Sequence, residues 1–216
     1  MNIQRYFFWS SFAVIIILII WGLAVSMSRD SVLSSHRAPA PISTNDHVQG
    51  PDNAIVTIVE YSDFQCPACQ MYYFVVEKLL ASSTVPIRFV YRQFPLAQHT
   101  NAIPAALASE AAAVQGKFWE MHKLLFERHT EWETLSDPKP VFNSLATKIG
   151  LDLEKFKKDM NDENLKKKIE DSSKEGYKIG IDATPSFFIN GKFIENPKGY
   201  EEFKSIVEKT ALDSTK

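Results

Sequence analysis

From Ala54 the chain reads AIVTIVEY, a β-branched and nearly unbroken apolar run that predicts a central strand buried on both faces. Ser62-Asp63-Phe64-Gln65 interrupts it. From Cys66 the period turns helical, with Met71, Phe74, Val75, Lys78 and Leu79 on one spacing until Ser82-Ser83. Pro86 leads into a second strand over Ile87–Arg92. A strand, a helix and a strand in so short a stretch make a right-handed βαβ unit, so the two strands are expected to be parallel.

The pattern then becomes helical for a long block. Seven alanines lie between Asn101 and Gly116, with Pro104 tolerable in the first turn. Gly116 marks a turn into Lys117–Arg128, where Phe118, Met121, Leu124 and Leu125 share a face. Pro140–Ile149 and Leu153–Met160 read as short helices, and Asp162–Gly180 as a charged one with Leu165, Ile169, Ser173 and Gly176 on its quiet side. Strand character returns at Ser186-Phe187-Phe188-Ile189, and Asn190-Gly191 is a type I′ hairpin signal before Lys192–Glu195. Tyr200–Thr210 closes the chain as an amphipathic helix. The order implies an α/β fold: a mixed central sheet flanked by helices, with an inserted all-helical subdomain.

Upstream, residues 6–25 are apolar apart from Ser10, Ser11 and Gly22. Twenty residues of helix cover the roughly 30 Å hydrocarbon core, whereas a secretory h-region needs only about 7–15. The length favours a transmembrane signal-anchor over a cleaved signal peptide ending near Ala24-Val25-Ser26, and Trp9 and Trp21 suit the two interfaces. Residues 1–5 would then be cytoplasmic. Residues 26–53, rich in Ser and Pro without a period, read as a flexible linker. Both readings put the rest of the chain outside the cytoplasm, in the periplasm or at the cell surface, and secreted if the segment is cleaved. The folded part is expected to divide into a sheet-bearing portion at 54–95 and 181–210 and a helical insertion at 96–180.

Composition narrows the function classes. The 216 residues are 45% hydrophobic and 23% charged, which is globular usage, and the net charge of −2 gives no reason to expect nucleic acid as a partner. Nothing supplies a dimerisation module, so a monomer is expected.

The chain's two cysteines sit together as Cys66-Pro67-Ala68-Cys69, where a strand ends and a helix begins. The unpaired N–H groups and dipole of a helix start favour a thiolate on the first cysteine. Pro67 has no N–H to satisfy there. Cys66 is therefore the expected nucleophile and Cys69 the buried thiol that resolves a mixed disulfide. A zinc half-site shares this spacing but needs two further ligands. None of His36, His47, His99, His122 and His129 forms an H-x₃₋₅-H pair. A purely structural disulfide would close too small a ring to stabilise much. His99 and His122 read as surface or satisfied core residues. Glu60, an acid inside an apolar strand, either pairs with Arg88 or Arg92 on the neighbouring strand or lies under the dithiol as a proton acceptor. Thr184-Pro185 opens a strand, which alone says little.

The runs V-E-Y-S-D-F-Q-C-P-A-C, Q-G-K-F-W-E-M-H and G-I-D-A-T-P-S-F-F-I-N-G-K resemble the DsbA-like family of thioredoxin-fold thiol–disulfide oxidoreductases, and among them the membrane-tethered extracytoplasmic members. The likeness runs from about Gly50 to Lys209. It implies a redox-active Cys66–Cys69 pair with no cofactor, a cis peptide before Pro185, and a Thr184 backbone that pairs with substrate. It also supports the buried-carboxylate role for Glu60. The implied activity is the introduction of disulfides into reduced secreted or envelope proteins, with reoxidation by a quinone-linked membrane thiol oxidase. A reductase or isomerase of the same fold, and a non-catalytic chaperone-like binding protein, are the alternatives. Ala68 stands where the family's prototype has histidine, so a higher thiol pKa and a less oxidising couple than the prototype's are expected.

Overall fold

The structure, a computed structural model, describes residues 15–22 and 36–215. Residues 15–22 are helical with exposed apolar side chains, and the rest of the expected membrane segment at 6–25 lies outside the described residues. Among the described residues no helix is long and apolar enough to cross a membrane. Residues 38–216 form a separate compact unit.

The apolar run at its centre is strand β2 (Val56–Ser62), which follows a short β1 (His47–Gln49). Helix α1 (Pro67–Ser82) carries the chain over to β3 (Ile87–Gln93), which pairs with β2 in parallel. After the helical block come β4 (Ser186–Ile189) and β5 (Lys192–Ile194), giving a five-stranded mixed sheet in the order β1-β3-β2-β4-β5. The β4–β5 turn is the expected one: Asn190 and Gly191 both have positive φ, at 47° and 78°. The Asn190 side chain also accepts from Thr57 N at 2.8 Å, tying the hairpin to β2.

Alternation along β2 separates two cores. Val56 and Ile58 pack with Phe89, Tyr91 and Phe187 on one face, under α1 and the closing helix α7 (Tyr200–Ser214). Val59 and Tyr61 pack with Val90, Phe94, Phe188, Ile179 and Ile181 on the other. Glu60 pairs in register with Tyr91 and therefore lies on the first face, whereas Arg88 and Arg92 pair with Thr57 and Tyr61 and lie on the second. Of the two readings of Glu60, the pair with Arg88 or Arg92 is thus ruled out by strand parity. Arg88 bonds Asp52 instead, at 3.0 Å.

The helical block comprises α2 (Ala102–Ala113), α3 (Phe118–Glu127), a 3-10 turn (His129–Glu131), α4 (Lys139–Lys148), α5 (Leu153–Asp159) and α6 (Glu163–Lys178). α2 packs against α3, α4, α5 and α6, and its alanines explain how. Small side chains let four helices approach one axis closely.

The linker reading at 26–53 needs correction at its C-terminal end. From Ala38 the segment is part of the compact unit, and β1 pairs antiparallel with β3 at the sheet edge. Charge, not apolar period, holds it there. Arg92 grips Asp46 with two bonds of 2.7 and 3.0 Å, donates to the Ala40 carbonyl at 3.0 Å, and reaches Tyr61 Oη at 2.8 Å. Glu175 accepts from Ala40 N at 2.9 Å and from the Tyr61 hydroxyl. Buried Glu110 takes His47 Nε2 at 2.8 Å and Lys168 Nζ at 2.7 Å.

α6 reaches the sheet through Gly176, where an added Cβ would lie 2.6 Å from the Phe94 ring and 3.3 Å from Tyr61. Phe94 is fully buried and touches Tyr61 and Tyr177, so it has nowhere to move. Overpacking costs about 1–3 kcal/mol, of which alanine's better helix propensity returns about 1 kcal/mol. Gly176→Ala is therefore expected to lower the urea midpoint, and an unchanged or raised midpoint contradicts this packing.

Candidate active site

β2 ends at Ser62, and the turn that follows is built on Asp63. Its buried carboxylate accepts from Gln65 N at 2.8 Å and Leu96 N at 2.9 Å, and meets His99 Nδ1 at 2.7 Å. Its carbonyl accepts from Cys66 N at 3.1 Å. Cys66 is the N-cap of α1, with extended backbone, and Pro67 is the first helical residue. The first amides of α1 therefore point toward the Cys66 sulfur.

Both cysteines are free thiols, and their surroundings differ. Cys66 keeps 7% exposure, while Cys69 has none. Cys66 Sγ lies 3.5 Å from the Thr184 carbonyl, to which its thiol donates. Asp63 N donates to Cys69 Sγ at 3.5 Å. The Cys66 thiol is pulled down to about 5, first by the hydrogen bond from Cys69 and further by the Thr184 side-chain hydroxyl and the amides of Cys69 and Ala68; burial opposes the shift. Burial, and then the neighbouring Cys66 and Glu60, push the Cys69 thiol far above the ordinary range.

The Thr184–Pro185 peptide is cis, and the Pro185 carbonyl accepts from Asn196 Nδ2 at 2.9 Å. This places the strand-opening dipeptide directly beside Cys66, 118 positions away in sequence. Pro67 and Ala68 occupy the first turn of α1 as the spacing required. Glu60 lies on the sheet face beneath the dithiol, almost fully buried, and burial lifts its carboxyl to about 7. Ser62 faces Glu60, Cys69 and Tyr91 without full hydrogen-bond geometry to any of them, and it partly offsets the burial of each. Burial raises the Tyr91 hydroxyl as well, so it stays neutral. His122 lies among the rings of Phe64, Tyr73, Tyr91 and Phe126, and burial holds it down at about 3, a neutral core residue.

A family described as thioredoxin (Thioredoxin_4) matches residues 43–209. The chain belongs to the thioredoxin family. Among solved structures of that fold, BdbD from Bacillus subtilis in its oxidised form superposes with a TM-score of 0.72 at 27% identity, over 82% of this chain and 98% of that one. A thioredoxin-like oxidoreductase from Silicibacter pomeroyi gives a TM-score of 0.66 at 26% identity, over 79% and 94%. In fold this thioredoxin-family chain is similar to these proteins, one of them a thioredoxin-like oxidoreductase. A curated relative, the Na(+)/H(+) antiporter NhaA 3 of Salinispora tropica, is 37% identical over 163 residues. That match takes in 75% of this chain, which spans about a quarter of the relative's length.

Sequence reasoning passed over Asp63, Ser62, Gln65 and Tyr91. Asp63 was open to detection as an Asx-type turn former directly ahead of the cysteines, and Tyr91 only through the strand register.

Glu60 gives this site a test with a definite sign. Its folded pKa, about 7, lies well above the ordinary carboxyl value. Its stability contribution is therefore full below the unfolded value and is lost as pH rises through 7. Glu60→Gln does not titrate. In the disulfide form, where no thiol titrates, it is expected to match wild type near pH 4 and to exceed it by up to about 3 kcal/mol at pH 8. Parallel pH–stability curves from denaturant unfolding contradict a buried, perturbed carboxyl.

Proposed function

We propose that this thioredoxin-family protein is an oxidant, donating the Cys66–Cys69 disulfide to reduced secreted or envelope proteins outside the cytoplasm. The observation that carries this reading is the opposed shift of the two thiols. Cys66 at about 5 falls between the roughly 3.5 of a strongly oxidising DsbA and the roughly 7 of thioredoxin. A reduced state that holds a stabilised thiolate gives its electrons up reluctantly, so its disulfide is the oxidising form. The sequence-based expectation of a thiol pKa above that of the family's prototype is in keeping with that value.

A substrate thiolate attacks Cys66 Sγ, the S–S bond breaks, and Cys69 leaves with the electron pair. Cys69 is the more basic sulfur and takes a proton, for which Glu60, close to half protonated at neutral pH, is the neighbouring source. A second substrate thiolate then attacks the substrate sulfur of the mixed disulfide, and Cys66 departs as the thiolate its site stabilises. The substrate has lost two electrons and the dithiol has gained them. No cofactor enters this scheme. Protonation of Cys69 also slows its return attack on the mixed disulfide, which favours delivery over release.

In the same reading residues 6–25 anchor a monomer to the membrane, its catalytic unit on the extracytoplasmic side, where oxidising couples persist. A quinone-linked thiol oxidase in that membrane would restore the disulfide. The antiporter relative supports proximity to a membrane, because an antiporter works across one and its chain carries a segment similar to this one.

The test is the redox state of Cys66 and Cys69 in cells, read by acid quench, thiol alkylation and gel shift, together with a Cys69→Ser variant. The pair is expected mostly as the disulfide, and Cys69→Ser is expected to accumulate mixed disulfides through Cys66 with reduced secreted proteins. A pair found mostly reduced reverses the direction to a reductase. A Cys69→Ser variant that traps nothing removes dithiol exchange with proteins.

A further inference from the structure

The helical insertion meets the backbone just ahead of the nucleophile through the 3-10 turn after α3. His129 in that turn is 1% exposed, and its Nε2 lies 2.9 Å from the carbonyl of Gln65. A carbonyl only accepts, so Nε2 carries the proton and donates. On the far side of the ring, Nδ1 faces Glu133 Oε2 at 3.3 Å, and Trp132 packs edge-on with centroids 5.4 Å apart. The ring is thus oriented from two sides for a single backbone bond.

The accepting carbonyl belongs to the peptide that joins Gln65 to Cys66, and every other group of Gln65 is also held. Its N–H donates to the Asp63 carboxylate, its side-chain amide donates to the Glu133 carbonyl at 2.7 Å, and its Oε1 accepts from Asn101 N at 2.6 Å. Asn101 Nδ2 in turn donates to the carbonyls of Leu135 at 2.8 Å and Glu133 at 3.2 Å, which fixes the loop carrying Glu133. The buried imidazole is thus aimed at the carbonyl directly before the nucleophile.

We propose that His129 is a positioning residue of the redox centre, holding the Gln65–Cys66 peptide so that the Cys66 sulfur meets the open amides of α1. The inference rests on the thiol–disulfide reading above. It gives the insertion a part in the chemistry: the thiolate is supported through the backbone from a side chain outside the sheet. Without the Nε2–H donor the peptide is held only from its other edge, where Cys66 N donates to the Asp63 carbonyl at 3.1 Å, and the sulfur loses alignment with the Ala68 and Cys69 amides that stabilise its charge.

The experiment is iodoacetamide alkylation of Cys66 against pH in the reduced full-length chain, for wild type, His129→Leu and His129→Gln. At pH 4, below the wild-type midpoint, His129→Leu is expected to react about fivefold more slowly, the equivalent of one ordinary hydrogen bond. His129→Gln keeps an N–H donor and is expected to restore most of the rate. A role confined to folding would lower thermal stability and leave the pH profile of the folded fraction in place. Leu and Gln variants that both follow the wild-type profile overturn the proposal while leaving the oxidoreductase reading intact. A wild-type profile centred near about 8.5 defeats that reading itself, independently of any variant. Should His129→Leu not fold, nuclear magnetic resonance of wild type decides. The His129 Nε2–H signal is expected to exchange slowly and to move as Cys66 titrates, and a signal that ignores the titration overturns the proposal.

Discussion

A nearly buried sulfur that carries negative charge is the constraint on which the site depends. Burial alone disfavours a thiolate, and the shift of Cys66 runs the other way because several donors converge on one atom. The Cys69 thiol contributes most, the Thr184 hydroxyl approaches from the strand side, and the amides of Ala68 and Cys69 come from the first turn of α1. Each donor comes with a requirement on the fold. Strand β2 must end where α1 begins, Pro67 must open the helix without an N–H of its own, and β4 must bring Thr184 back against the dithiol from beyond the helical block.

The opposite shift of Cys69 follows from the same arrangement. One helical turn carries it from the mouth of the site to full burial above the sheet, where Glu60 is the nearest acid and Tyr91 stays neutral. Parity along β2 and β3 sends Arg88 and Arg92 to the other face, so neither cation reaches the carboxyl. Glu60 therefore keeps its proton to an unusually high pH, as a partner for a basic thiol requires. The arginine this leaves free, Arg92, clasps the segment around Asp46 and Ala40 and closes the second face of the sheet.

Much of this was legible in the residues alone, for physical reasons. AIVTIVEY could be little other than a strand buried on both faces, Asn190-Gly191 could turn only with both φ values positive, and the cysteine pair sat at a strand-to-helix junction. What escaped was whatever depends on partners distant in sequence. β1 has three residues and no alternation, and charged bonds hold it, from Arg92 to Asp46 just before it and from its own His47 to Glu110, which Lys168 also pairs. Glu60 had two readings until register removed the arginines. Gln65 looked like a loop residue because its four anchors come from Asp63, Asn101, His129 and Glu133.

The central claim is that folding stabilises the Cys66 thiolate, and the most direct measurement is the pH dependence of unfolding free energy for the reduced and oxidised forms. A folded value of about 5 lies below the ordinary free-thiol value, so the contribution to the reduced form is full above the latter and is lost as pH falls through 5. The oxidised form has no such thiol, and its small ring constrains the unfolded chain little. The reduced form is expected to gain on the oxidised form by about 2–3 kcal/mol between pH 4 and pH 7. A difference that is flat with pH, or an oxidised form more stable throughout, would contradict the account.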